Sequence, residues 1–184
     1  MAKEDAPRAH PIHDSNPFPA QDLRVGHGYD LHRLEPRSNS NTRPLIVGGV
    51  ALEFDRGPIA RSDGDVLLHA VTDALLGAIA GPDIGQLFPD SDPAHEGEDS
   101  SRYVLEALRR AHADGFAPIS LDATVILERP KLGAHKQAIR DNLARLLGMP
   151  TDRVNVKGKT HEGVDALGEG RAIEAHCVVL LARR

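Results

Sequence analysis

Apolar residues recur at helical spacing most clearly between Arg61 and Ala80. Val66, Leu67, Ala70, Val71, Ala74, Leu75 and Ala78 make one stripe, which predicts a helix. Ser62 or Asp63 is its expected N-cap, and Gly81-Pro82 its stop. The same period predicts a second helix over about Arg102–Ala113, capped by Asp99 or Ser100, and a third over about Ala134–Leu147, closed by Gly148. Alternating or β-branched runs predict strands at Arg24–His32, at Ile119–Leu127 and from Val154. Leu45–Val47 and Val50–Phe54 flank Gly48-Gly49 and read as a hairpin. Arg171–Ala182 is almost continuously apolar and reads as a largely buried last strand, whereas Arg33–Pro44 reads as a loop. The order β, ββ, α, α, β, α, β, β predicts a single-domain α/β two-layer sandwich, a mixed sheet covered by helices. Residues 1–22 lack periodicity and read as a mobile tail ahead of one domain over 23–184.

The polar positions of the central helix carry the first chemistry. Asp65, His69 and Asp73 are spaced i, i+4 and i+8, about 6 Å of axial rise apart, on one helix face. On the first strand Asp30 and His32 are two apart and point to the same side. Taken singly, a helix His is more often a hydrogen-bonded residue, and Asp65 complements a helix N-terminus. Taken together, Asp30, His32 and His69 make an Asp/His/His set with an open fourth position, the pattern of a catalytic zinc site. Asp65 or Asp73 would orient His69. Glu162, Asp90 and Asp92 are spare carboxylates for a harder ion such as Mg²⁺. Lys159, Thr160, Lys131 and Arg61 are candidate phosphate contacts. Gly158-Lys159-Thr160 lacks the upstream glycine of a P-loop. Metal, cations and acidic loops together point to phosphoryl chemistry on a small polyol or nucleotide.

Composition narrows the partners. The net charge is −5 and aromatic residues make up 3%, with no tryptophan. Neither a basic stripe nor a base-stacking surface follows from that, so nucleic acid is not an expected partner. Nothing reads as a membrane span or a signal core, and the single Cys177 allows no disulfide within the chain. The cytoplasm is the expected compartment.

Three motifs then carry a resemblance. Gly-His-Gly-Tyr-Asp-Leu-His at 26–32, Ser-Asp-Gly-Asp-Val-Leu-Leu-His-Ala-Val-Thr-Asp-Ala-Leu-Leu-Gly at 62–77 and Asp-Ile-Gly-Gln-Leu-Phe-Pro-Asp-Ser-Asp-Pro at 83–93 together resemble the 2-C-methyl-D-erythritol 2,4-cyclodiphosphate synthases. Arg129–Leu132 and Val154–Lys157 fit as well, so the likeness runs from about Arg24 to Leu181. The resemblance implies a homotrimer with active sites at subunit boundaries. It implies cyclisation of 4-diphosphocytidyl-2-C-methyl-D-erythritol 2-phosphate, with release of CMP, in the non-mevalonate isoprenoid pathway. Asp30, His32 and His69 match the zinc ligands, and Glu162 matches the carboxylate for a second divalent ion, Mg²⁺ or Mn²⁺. Thr160 matches a residue that hydrogen-bonds phosphate near the transition state. Asp83, Ile84, Gly85, Phe88, Pro89, Asp90 and Asp92 match the loop that contacts erythritol and ribose. Ser62 follows the position of Arg61 in the substrate site. Pro130, Lys131 and Leu132 resemble a cytosine pocket supplied across the interface.

The sequence departs from that pattern in three places. Arg61 stands where the family usually has histidine; an arginine cannot shuttle protons but can hold charge on phosphate. Lys159 and His161 flank Thr160 where many members have threonines. Glu169-Gly170-Arg171 reverses a common Arg-Gly-Glu in the segment lining the trimer axis. Two other functions fit the metal ligands alone: a zinc phosphohydrolase, and a metal-binding trimer module without activity.

Overall fold

A computed structural model of the chain describes residues 22–89 and 92–184. Of the expected tail only Asp22 is among them, and Asp90 lies outside the described residues.

Five strands form one mixed sheet in the order β4-β1-β7-β5-β6, from β1 (Leu23–Pro36), β4 (Arg56–Pro58), β5 (Phe116–Ile126), β6 (Val154–Lys159) and β7 (Ala172–Arg183). Only β5 and β6 run parallel; the other pairs are antiparallel. β2 (Ile46–Val47) and β3 (Val50–Ala51) make the expected hairpin, turned by Gly48 and Gly49 at φ +60° and +77°. Three helices cover one face: α1 (Val66–Ala78), α3 (Ser101–Ala113) and α4 (Lys136–Leu147), the last ended by left-handed Gly148. Short helix α2 (Ile84–Leu87) lies in a stretch expected to be a loop, and α5 (Asp165–Gly168) lies between the expected elements. Leu67, Leu75, Val104, Leu143, Val156 and Leu181 meet in the core between sheet and helices.

Several expectations change. β1 continues to Pro36 because its end pairs with β4, so the first part of the 33–44 segment is strand rather than loop. α1 begins at Val66, not Arg61, and its N-cap is Asp65 rather than Ser62 or Asp63. Asp65 is fully buried, and its carboxylate accepts the N–H groups of Leu67 and Leu68 at 3.1 and 3.0 Å. It also takes those of Gly48 and Gly49 at 2.9 and 2.6 Å, tying the hairpin to the helix. β7 is buried on one side only. Ile173, Ala175, Cys177, Val179 and Leu181 face the helices, while Glu174, His176 and Val178 stand on the opposite face. That second face carries Val25, Tyr29, Leu31 and Val178, exposed by 66, 47, 44 and 43%. Cys177 is a free core thiol, as expected, and burial raises its pKa. No helix among the described residues is long and apolar enough to cross a membrane.

Candidate functional site

The site starts with two glycines. A Cβ on Gly26 would stand 1.8 Å from the Ala74 carbonyl oxygen, and one on Gly28 1.8 Å from that of Ala70. Only glycine lets β1 lie so directly on the backbone of α1. Asp30 and His32 follow on the same face of the strand, and the close crossing delivers them to His69 on the helix. The three side chains place one ligand atom each within 4.8 Å of one another. His69 Nδ1 lies 2.9 Å from Asp30 Oδ2 and 3.2 Å from His32 Nε2, and His32 Nε2 lies 3.2 Å from Asp30 Oδ2.

The charges are matched. Burial raises the Asp30 pKa, but the His69 hydrogen bond and the charges of both histidines outweigh it and leave it below the usual carboxylate range. Burial likewise opposes charge on His69, yet the bond to Asp30 and the charges of Asp30, Asp65 and Asp63 hold its pKa above the ordinary imidazole value. The other ring nitrogen of His69, Nε2, faces Ser100 Oγ at 2.8 Å and Ser62 Oγ at 3.2 Å.

The cluster opens into a cavity of about 430 Å³. Arg61 and Ser62 form one wall, Ile84, Gly85 and Phe88 another, with Tyr103 and His95 behind Phe88. Arg61 is held by Glu96 at 3.5 Å, and among the described residues its buried Nε has no hydrogen-bond partner. Arg43 pairs with the same Glu96 and donates to the carbonyls of Ala60 and Arg61 at 3.4 and 3.2 Å. A second cavity, of about 300 Å³, is lined by Lys131, Leu132, Lys136, Lys159, Thr160 and Glu162 and shares no lining residue with the first. Thr160 Oγ1 donates to Glu162 there at 2.8 Å.

The YgbB family matches residues 23–182. Over 166 residues the chain is 56% identical to the 2-C-methyl-D-erythritol 2,4-cyclodiphosphate synthase, chloroplastic, of Oryza sativa subsp. japonica, covering 90% of this chain and 72% of that protein. It is 49% identical over 159 residues to the synthase from Trichlorobacter lovleyi, covering 86% of this chain and 98% of that one. A solved structure of 2C-methyl-D-erythritol-2,4-cyclodiphosphate synthase in a CDP-bound form matches with TM-score 0.77 at 43% identity, over 86% of this chain and 99% of that chain. The chain belongs to the 2-C-methyl-D-erythritol 2,4-cyclodiphosphate synthase family.

The residues expected from the synthase pattern fall into separate places. Asp30, His32, His69, Arg61, Ser62, Ile84, Gly85 and Phe88 meet at the first cavity. Lys131, Leu132, Lys159, Thr160 and Glu162 meet at the second, and Pro130 precedes them after a cis peptide bond. Asp83 lines neither cavity; it caps α2 by accepting the Gln86 N–H at 2.8 Å. Pro89 and Asp92 are exposed beyond Phe88, and Asp92 lies 3.9 Å from His95. His161 turns to Asp165 at 3.0 Å, and Glu169 pairs with Arg171 within the chain. Neither Asp65 nor Asp73 orients His69. Asp65 caps α1, and Asp73 accepts the N–H of Ile84 at 2.8 Å, so both carboxylates are engaged by backbone donors. The actual partners of His69, Ser62 and Ser100, come from loops, where helical periodicity gives no signal. Ser62 was expected in the substrate site, whereas Ser100, Tyr103, His95 and Arg43 were not among the expected site residues.

Proposed function

We propose that this chain converts 4-diphosphocytidyl-2-C-methyl-D-erythritol 2-phosphate to 2-C-methyl-D-erythritol 2,4-cyclodiphosphate with release of CMP, in the non-mevalonate isoprenoid pathway. The observation that carries this reading is the Asp30/His32/His69 cluster at the mouth of a cavity, in a chain of the synthase family. Two imidazoles and a carboxylate suit zinc, and the fit is good here because the remaining nitrogen of His69 is occupied by serine hydroxyls. Zinc held there would neutralise charge on the β-phosphate.

In the reaction an oxygen of the 2-phosphate attacks the β-phosphorus, the bond from that phosphorus to the bridging oxygen breaks, and CMP leaves. The protein's part is placement and charge. Arg61, across the first cavity, holds negative charge on phosphate, and Ser62 lies beside it. Ile84, Gly85 and Phe88 exclude water from the erythritol, with Asp83, Pro89, Asp90 and Asp92 as the neighbouring contacts in sequence. In the second cavity Lys131, Lys159 and Thr160 take nucleotide phosphate, with His161 alongside. Glu162 is the ligand for a second divalent ion, Mg²⁺ or Mn²⁺. Pro130, Lys131 and Leu132 offer backbone groups to cytosine.

One subunit does not bring the two cavities together. In register, Asp30 pairs with Ala175, Ala175 with Val125, and Val125 with Gly158, three strand steps or about 14 Å. A neighbouring copy would set the nucleotide cavity beside the metal cluster. The apolar residues on the open sheet face favour that assembly, a homotrimer. We place the protein in the cytoplasm, since its one buried cysteine needs no oxidising compartment.

Phosphorus NMR of the protein with Zn²⁺, Mg²⁺ and the cytidylyl substrate tests the proposal. A cyclic diphosphate signal appearing with CMP is the expected result. Linear phosphate products would make it a hydrolase instead, and untouched substrate would leave a metal-binding module.

A further inference from the structure

Ser100 occupies the N-cap position of α3 but caps nothing: its hydroxyl makes no bond to the helix's own N–H groups. Serine is favoured at an N-cap because its oxygen normally takes such a group. Here the buried hydroxyl stands 2.8 Å from His69 Nε2 and 2.5 Å from Asp63 Oδ1. An ionised carboxylate only accepts, so the Ser100 O–H donates to Asp63. The lone pairs of Ser100 then face His69, and Nε2 carries the hydrogen. The Nδ1 atom is left turned towards Asp30 and His32. Ser62 is a weaker partner, 3.2 Å from the same nitrogen and already accepting the Gly64 N–H. Asp63 is in turn fixed by accepting the backbone N–H groups of Asp65 and Ser100, each at 3.1 Å.

We infer that Asp63 and Ser100 are positioning residues for the metal centre, holding His69 in the tautomer and ring orientation that aim Nδ1 at the metal. The inference rests on the reading of Asp30, His32 and His69 as zinc ligands. Neither Asp63 nor Ser100 lines the cavity, so both act through His69. Losing such an outer partner of a ligating histidine typically weakens metal binding 10- to 100-fold.

The test uses metal-stripped wild type, Ser100→Ala, Asp63→Asn and Ser62→Ala, titrated with Zn²⁺ against a chromophoric chelator. Co²⁺ absorption gives a second readout of ligand geometry. Ser100→Ala is expected to bind zinc roughly 10- to 100-fold more weakly and to alter the Co²⁺ spectrum. Asp63→Asn should weaken binding in the same direction and Ser62→Ala should do so less than Ser100→Ala, while the melting temperatures of the metal-free proteins stay close together. Wild-type zinc affinity and Co²⁺ spectrum in Ser100→Ala overturn the relay and leave the metal reading standing. A wild type that binds neither ion overturns both. If Ser100→Ala does not fold, Ser100→Gly takes its place, glycine being nearly as acceptable at an N-cap; wild-type affinity in that variant overturns the relay equally.

Discussion

The carbonyl oxygen of Ala70 lies 1.8 Å from where a Cβ on Gly28 would stand. Backbone meets backbone at this point, so nothing flexible can yield. Gly28→Ala must push β1 away from α1 and carry Asp30 and His32 away from His69. A destabilisation of about 3 kcal/mol or more is expected, with loss of bound metal. Gly77, on the same helix, gives the opposite case: its Cβ would meet only the His27 carbonyl oxygen, at 3.8 Å. Gly77→Ala should stabilise by roughly 0.5–1 kcal/mol through helix propensity. Urea unfolding of the two variants checks the pair, and equal stabilities would refute the close-crossing account.

Asp30, His32 and His69 were legible in the sequence because periods of two and of four put them on definable faces. The helices α1, α3 and α4 were legible for the same reason, within a few residues. What periodicity could not give was the destination of each side chain. Asp65 and Asp73 share a face with His69, but backbone N–H groups of the hairpin and of Ile84 claim them. Ser100 read as a helix cap because serine at that position usually is one; the competing partners, Asp63 and His69, are 37 and 31 residues away. The one-sided burial of β7 was hidden because the apolar residues on its open face look like core in a one-dimensional pattern.

Asp65 makes stability depend on pH. Burial raises its pKa to about 6, against four backbone N–H donors that favour the charged form. The folded pKa lies above the unfolded value of 3.8, so the folded state holds the proton more tightly. This group's contribution is therefore fully present below about 4 and lost as pH rises through about 6, an effect of order 3 kcal/mol across the window. Asp65→Asn removes that dependence. The stability of wild type relative to Asp65→Asn should rise as pH falls from 7 to 4.5. Parallel curves for the two proteins in denaturant titrations at each pH would contradict it.

Zinc affinity should fall with pH for a different reason. Metal must displace the proton held between His69 Nδ1 and Asp30, and the His69 pKa lies above the ordinary 6.5. Asp30 is held below the carboxylate range and stays ionised throughout. Below the raised His69 pKa, affinity is expected to drop about tenfold per pH unit for each competing proton. Chelator competition at pH 8 and pH 6 measures it. Equal dissociation constants at the two values would mean that His69 does not ligate through Nδ1.

Arg61 is one of the positions at which this chain departs from the pattern it resembles, and its surroundings say what to expect of it. Glu96 anchors both Arg61 and Arg43, and Arg43 braces the backbone carbonyls of residues 60 and 61. The wall of the cavity is therefore expected to keep its shape without the Arg61 side chain, and the residues proposed to hold zinc lie on other elements. Arg61→Ala should retain one zinc per chain. Its turnover should fall roughly 10²–10³-fold, as when a single preorganised charge-stabilising group is removed. Arg61→Lys keeps a charge but not the fork, and should recover only part of the rate. Metal content by atomic absorption, with CMP release measured alongside, separates the two effects. Full turnover in Arg61→Ala would reduce Arg61 to a structural member of the cavity wall, and loss of zinc would show that the wall and the metal cluster are mechanically one unit.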